Sequence, residues 1–315
     1  MPLYIVLRTL NEKYLLETFF HHYQTLGADR IYLFDCGSKD GTLDIVRKWE
    51  SETNLVHLVL FDPKYRHSNY QQQTTFCNFI LDWVVGKSVH SDDNWWVFPD
   101  ADEFIWLDSF QNFSQFLDQY TQYPVLRTIF FDWYLTPNLF QADLTPKQIL
   151  NLVRNQALKG KISDLWGDPF YKDYILHVSD QTLPLISELR TVSGFHRFIH
   201  KNKVYLPPNE PNVFVNHLRI LPQKIFQNRI KERLQLVESS PDDWSYVHFN
   251  HLNSLIQNYD KNYQRLKLKS FLELIEEVNC LRSYDNTQSY YNTVIMQENI
   301  QYPSGSRPSM HEKEK

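Results

Sequence analysis

The sequence predicts an α/β protein: a mostly parallel sheet flanked by helices, with a helical C-terminal extension. Three observations predict it. Over the first hundred residues, short apolar runs alternate with helical stretches, the pattern of βαβ units feeding a parallel sheet. Polar, turn-forming clusters fall where the apolar runs end, which in such sheets is the ligand-binding edge. From Pro222 onward the apolar residues recur at helical spacing.

Each element has its own reason. Leu3 to Leu7 is an unbroken apolar run of strand length, and Glu12 to Leu26 sets Leu15, Leu16, Phe19, Phe20 and Tyr23 on one helical face. Gly27 follows where a helix C-cap is expected. Arg30 to Phe34 is the second strand, closed by the turn-rich cluster Asp35-Cys36-Gly37-Ser38-Lys39-Asp40-Gly41-Thr42. Asp40 or Thr42 caps a helix running to Glu50. Leu55 to Phe61 is the third strand, Gln72 to Val85 a helix, and Trp95 to Phe98 a fourth strand ending at Pro99-Asp100. Beyond Glu103 the pattern is mixed. Phe113 to Tyr120 reads as helix, Val125 to Phe131 as strand, and Thr145 to Leu158 as a helix opening on Thr-Pro. Phe195 to His200 and Lys203 to Leu206 pair as a hairpin, and Val213 to His217 is a further strand. Pro222 to Glu238 and Leu252 to Leu281 are helices. The expected organisation is one α/β domain over residues 1–220 (halves 1–106 and 107–220), a helical extension over 221–304 and a polar tail over 305–315.

Composition narrows the function. The 315 residues are 42% hydrophobic and 22% charged, so the chain closes a core and is not disordered. Lys and Arg number 32 against 37 Asp and Glu, which argues against a uniformly basic nucleic-acid binder. Only 8 glycines are present, and neither GxxxxGK[ST] nor GxGxxG occurs, so a glycine-rich phosphate cradle is absent. Cys36, Cys77 and Cys280 lack CxxC spacing, against a disulfide framework or zinc site and in favour of a reducing, cytoplasmic setting. The N-terminal apolar run is too short, and lacks the basic flank, for a signal peptide. No apolar run reaches the roughly 18 residues of a membrane span.

The strongest local signal is Trp95-Trp96-Val97-Phe98-Pro99-Asp100-Ala101-Asp102-Glu103-Phe104. An apolar strand leaves the core and delivers three carboxylates. At strand spacing Asp100 and Asp102 face the same way. Two hard oxygen donors on one side suit Mg²⁺ or Mn²⁺, held by one or two carboxylates plus substrate phosphates. The competing reading is an acidic turn. The Asp35 to Thr42 cluster lacks the alternation and terminal Glu of an EF-hand. It reads as a strand-to-helix turn in which Asp40 is structural and Asp35, at the strand tip, faces a ligand N–H.

Asn11-Glu12 after strand one, FDCGSKDGT after strand two and PDADEF after strand four occur in this order over about residues 3–106. Together they resemble the family 2-like, DxD-containing nucleotide-sugar glycosyltransferases of the GT-A fold. Cys36 departs from that pattern, where many members carry a second Asp. The resemblance implies a Rossmann-like GT-A domain over residues 1–220, with 1–106 the nucleotide-sugar-binding half and 107–220 the acceptor half. It implies a nucleoside-diphosphate sugar donor, a UDP-sugar first, and transfer to a glycan, lipid or protein acceptor with inversion. Arg8, Asn11, Glu12, Asp35 and Asp100 are the implied donor-binding residues. Val213 to Ile220 looks like the family's distal strand ending in a histidine, so Asp100, Asp102 and His217 are the implied ligands of Mn²⁺ or Mg²⁺.

When a sugar leaves its diphosphate, negative charge grows on the bridging oxygen. A divalent ion neutralises it as a Lewis acid, and Arg219 or Arg197 pairs with phosphate oxygens. Inversion also needs a carboxylate that deprotonates the acceptor hydroxyl. Asp132, Asp164 and Asp168 are candidates, Asp164 favoured, with neighbouring tryptophan as a sugar-stacking surface. The ordinary alternatives are loop acids, core packing for tryptophan and an exposed hairpin for His200. Two competing functions stay open: a metal-dependent nucleotidyltransferase or phosphohydrolase, and a sugar-binding pseudo-glycosyltransferase. The basic amphipathic helix around Lys224 to Arg233 is a candidate for peripheral contact with an anionic membrane surface, against a solvated face. Charge is also segregated. Residues 92–103 hold five acids and no Lys or Arg, while residues 190–233 hold nine Lys or Arg against two acids. That sets a cation-binding segment against a phosphate-facing one.

Overall fold

The computed structural model describes all residues except 66–69, 90–92, 107–112, 163–170, 193–194, 196, 206–212, 238–243 and 284–315. The strands are β1 Leu3–Thr9, β2 Arg30–Asp35, β3 Val56–Phe61, β4 Asn94–Val97, β5 Glu103–Trp106, β6 Val125–Tyr134, β7 Lys159–Ile162, β8 Tyr171–Val178, β9 Arg190–Thr191, β10 Phe198–His200, β11 Lys203–Val204 and β12 Phe214–His217. The helices are α1 Lys13–Thr25, α2 Thr42–Glu52, α3 Tyr70–Ser88, α4 Phe113–Leu117, α5 Pro137–Gln141, α6 Pro146–Arg154, α7 Leu183–Glu188, α8 Gln223–Val237, α9 Trp244–Gln257, α10 Tyr259–Tyr263 and α11 Phe271–Ser283. Contacts divide the chain into two units, Met1–Phe271 and Leu272–Lys315. Among the described residues, no helix is long and apolar enough to cross a membrane.

The main sheet runs β3-β2-β1-β4-β8-β6-β12-β5, with β7 on β6. It is mixed, which corrects the expectation of a mostly parallel sheet. The pairs β1–β2, β1–β4, β2–β3 and β6–β12 are parallel, whereas β4–β8, β6–β8, β6–β7 and β5–β12 are antiparallel. The cause is β8, a strand absent from the sequence reading, inserted antiparallel between β4 and β6. Two reversals cancel, so β4 and β6 still point the same way. The ends of β1, β2, β4, β6 and β12 therefore lie along one edge of the sheet.

The helices follow from local chemistry. Helix α1 buries Leu15, Leu16, Phe19, Phe20 and Tyr23, the face that the apolar spacing sets. Helix α6 starts at Pro146 under a capping box in which Thr145 accepts from the Gln148 N–H and Gln148 accepts from the Thr145 N–H. The segment expected as one helix from Leu252 to Leu281 is instead parts of α9, α10 and α11, interrupted after Gln257 and after Tyr263. The expected hairpin is present as β10 against β11. Aromatic residues make up 15% of the sequence, and many of the described ones lie in the core. Trp95, Trp96 and Trp133 are each below 2% exposed, and Tyr32 stacks on Trp96 beside the Trp83 ring. Such rings contribute large buried areas and edge-to-face contacts.

Candidate functional site

At the shared strand edge, the turn after β1 sets the first two residues. Asn11 takes a left-handed backbone, φ 57°, a conformation that Asn tolerates better than most residues. Its N–H donates to Ser38 Oγ at 2.8 Å, its Oδ1 accepts from the Lys39 N–H at 2.8 Å, and its Nδ2 donates to Glu232 Oε2 at 2.8 Å. Asn11 thus ties the first two loops to α8. Glu12 is 5% exposed. Its N–H donates to Thr42 Oγ1 and its carbonyl accepts from Leu15 and Leu16 at the start of α1. Its carboxylate does not cap that helix. Oε1 instead meets Arg229 Nη2 at 3.0 Å and Arg233 Nη2 at 3.1 Å.

The loop after β2 is organised by Asp35. This wholly buried carboxylate accepts from the N–H groups of Gly37 and Ser38, each at 2.8 Å, and from the hydroxyls of Ser38 and Thr9 at 2.6 and 3.0 Å. Its acceptor capacity is spent on the loop, whereas the sequence expectation had it facing a ligand. Gly37 is required here, since φ is +90° and an added Cβ would lie 2.8 Å from Pro63 Cα. Asp40 Oδ1 accepts from both the N–H and the hydroxyl of Thr42, starting α2.

After β4 the chain makes a turn rather than continuing as a strand, closed by the Glu103 N–H on the Asp100 carbonyl at 3.0 Å. The strand-spacing argument for Asp100 and Asp102 therefore does not apply. Glu103 Oε2 accepts from the Asp100 N–H, and the Asp102 carbonyl accepts from the Leu218 N–H. Asp102 Oδ2 lies 3.0 Å from Arg229 Nη1 and 3.7 Å from His217 Nε2. His217 Nδ1 lies 2.7 Å from Asp132 Oδ1. The parallel register of β6 with β12 pairs His217 with Asp132 directly.

Glu12, Arg229, Asp102, His217 and Asp132 therefore form one chain of alternating charge. Its electrostatics follow from that alternation. Burial opposes the Asp102 charge, but Arg229 and His217 hold its carboxyl well below the usual range. Burial likewise opposes the His217 charge, yet Asp102 and Asp132 push its pKa up to about 10. Burial raises the Glu12 carboxyl against the pull of Arg229 and Arg233. For Arg8, burial is more than offset by neighbours that include Asp100 and Glu12, so its pKa is raised.

The structure thus links Glu12 to Asp102 through Arg229 and Asp102 to His217 directly, with Asn11 held on Glu232 of the same helix as Arg229 and with Arg8 and Asp100 in their electrostatic surroundings. The Arg219 N–H donates to the His217 carbonyl and its charge acts on Asp132. Asp132 itself is 1% exposed and engaged by His217. Asp164, Asp168 and Trp166 lie outside the described residues. His200 pairs with Glu188 at 2.9 Å. The contacts absent from the sequence reading are those of Arg229 and Arg233. Their spacing of four residues on α8 is the signal for two side chains on one helix face.

The donor set can be tested for a divalent cation. Among the described residues, no three His, Cys, Asp or Glu side chains converge as a metal cluster. Asp102 and His217 do face each other, and Asp132 sits on the far nitrogen of the imidazole. That is the carboxylate–histidine arrangement that orients metal-binding histidines. Asp102 and His217 would thus offer two protein donors to a divalent cation such as Mn²⁺ or Mg²⁺.

The acidic and arginine-lined cluster lies at the carboxyl ends of the strands, where open α/β sheets bind their ligands. Comparison with protein-family models and with curated proteins finds no match. Among solved structures, the chain is similar to S. aureus TarS at 12% identity and a TM-score of 0.34, over 82% of this chain and 43% of that one. It thus spans less than half of that TarS chain. It is also similar to the mannosyltransferase PcManGT from Pyrobaculum calidifontis, in complex with GDP-Man and Mn²⁺, at 12% identity and a TM-score of 0.38, over 93% of this chain and 84% of that one. UDP-glucose pyrophosphorylase complexed with UDP-glucose is similar at 6% identity and a TM-score of 0.31, over 69% and 90%. At scores this low, the functional reading rests on the site's own geometry.

Proposed function

We propose that this protein is a glycosyltransferase that moves a sugar from a nucleoside-diphosphate sugar, a UDP-sugar first among the candidates, to an acceptor hydroxyl with inversion. The observation that carries this reading is the convergence of Asp102, His217, Arg229 and Arg233 at the strand-end edge, built on the motifs that resemble family 2-like enzymes. In this reading residues 1–220 are the GT-A domain and residues 221–304 a helical extension, of which 284–304 lie outside the described residues and whose first helix lends Arg229 and Arg233 to the site.

Each role follows from charge. Asp102 and His217, with Asp100 beside them, would hold Mn²⁺ or Mg²⁺. When bound, the ion supplies Lewis-acid neutralisation of the diphosphate. Arg229 and Arg233 are placed by Glu12 and hold phosphate oxygens, where charge develops as the glycosidic bond breaks. Asn11 and Asp35 fix the two loops that receive the nucleotide, and Arg8 and Arg219 add positive charge on either flank. Asp164 is our candidate for the base that removes the acceptor's proton.

The test is release of nucleoside diphosphate from a panel of UDP- and GDP-sugars, with Mn²⁺ or with EDTA. Release that depends on the cation supports the reading. Absence of both turnover and cation-dependent nucleotide binding overturns it.

A further inference from the structure

Arg229 spans two acids. Its Nη1 reaches Asp102 Oδ2 and its Nη2 reaches Glu12 Oε1, each at 3.0 Å. The two ends differ in what holds them. Glu12 is buried, anchored through its backbone to Thr42 and α1, and shared with Arg233, which is itself tied to the Leu10 carbonyl at 3.0 Å. Asp102 sits on the turn between β4 and β5 and offers Arg229 the same oxygen that faces His217 Nε2.

From this geometry we infer that Arg229 is the internal counter-cation of Asp102: it competes with a divalent cation for Oδ2, and Glu12 retains it once it is displaced. The inference rests on the reading that a divalent cation binds at Asp102 and His217. A cation that takes Oδ2 meets the like charge of the guanidinium 3.0 Å from the same oxygen, and that repulsion drives Nη1 off it. Nη2 keeps its bond to Glu12, so the guanidinium stays in the site with one edge free. A diphosphate arriving with the cation gains that edge as a hydrogen-bond donor. Cation and nucleotide then favour each other's binding, and the coupling is reciprocal. Without nucleotide, Arg229 keeps cation affinity low.

The inference predicts an unusual sign, since removing a site residue should tighten metal binding. Mn²⁺ binding to the full chain is followed by the electron paramagnetic resonance signal of the free ion, with and without UDP. In Arg229→Gln, nucleotide-free affinity should rise about tenfold, and the enhancement by UDP should shrink by a similar factor. Arg229→Lys keeps the charge but cannot span both carboxylates, so it should fall between, and it decides the matter if the Gln variant does not fold by near-UV circular dichroism. Affinity equal to or weaker than wild type in the folded variants overturns the competition alone. Lack of Mn²⁺ binding by wild type, with or without UDP, overturns the metal reading and this inference with it.

Discussion

Oδ1 of Asp132 and Nδ1 of His217 are 2.7 Å apart, side by side on parallel strands β6 and β12. The pair fixes which way the imidazole points, since a nitrogen committed to Asp132 leaves Nε2 directed at Asp102. Asp132→Ala should therefore weaken Mn²⁺ binding about 10–100-fold in the presence of UDP. Asp132→Asn keeps an acceptor for the Nδ1 proton and should lose less. Titration of the free-ion resonance signal checks both, and equal affinities across the three proteins would remove this role.

Asp102 is the carboxylate on which both cationic side chains converge. Asp102→Asn keeps its size and removes its charge. It should lower cation-stimulated release of nucleoside diphosphate by about 100-fold or more, with far-UV circular dichroism unchanged. Activity close to wild type would show that the cation is held elsewhere.

The Asp35 loop makes a prediction about stability. Asp35→Ala strips four hydrogen bonds from a buried turn and should cost about 2–4 kcal/mol. Gly37→Ala forces a side chain into a left-handed backbone against Pro63 and should cost about 1–2 kcal/mol. Urea denaturation measures both. A midpoint unmoved by Asp35→Ala would return that residue to direct ligand contact.

His22 gives a pH dependence remote from these carboxylates. It is buried, with Nε2 on the Ile105 carbonyl at 3.0 Å and Nδ1 facing Arg154 Nη2 at 3.2 Å. Burial, and then the Arg154 charge, lower its pKa from 6.5 to about 3. The folded pKa is depressed, so between those values the unfolded chain binds the proton and the folded chain does not. His22 therefore costs no stability above pH 6.5 and about 1.4 kcal/mol per pH unit below it, until the folded ring protonates. His22→Gln should flatten that slope when urea midpoints at about pH 7.5 and 5.5 are compared. An unchanged slope would assign the acid sensitivity to other groups.

Much of the site was legible because its residues sit where strands stop. Glu12 and Asp102 follow apolar runs, and His217 ends one, so a one-dimensional pattern locates them. Arg229 and Arg233 lie in a helix that reads as an ordinary basic amphipathic segment. Their inward direction depends on Glu12, more than two hundred residues earlier in the chain, and spacing does not encode that. Asp132 was legible as an acid but not in its role, because its partner comes from strand pairing. The main loss in the fold is the strand Tyr171–Val178, which the sequence reading does not place because Lys172, Asp173 and His177 interrupt its apolar residues.

The position of β8 also has a consequence for the order of events on the ribosome. Among the described strands, the group β3-β2-β1-β4 meets the group β6-β12 only through β8. The first group is complete by residue 97, but its open flank on β4 waits for residues 171–178. The arginines that balance Glu12 and Asp102 emerge later still. Until then Arg8 is the early cation whose charge acts with Glu12 and Asp100, and the network through Arg229 and Arg233 is completed only after β12, the last strand of the sheet, has been made.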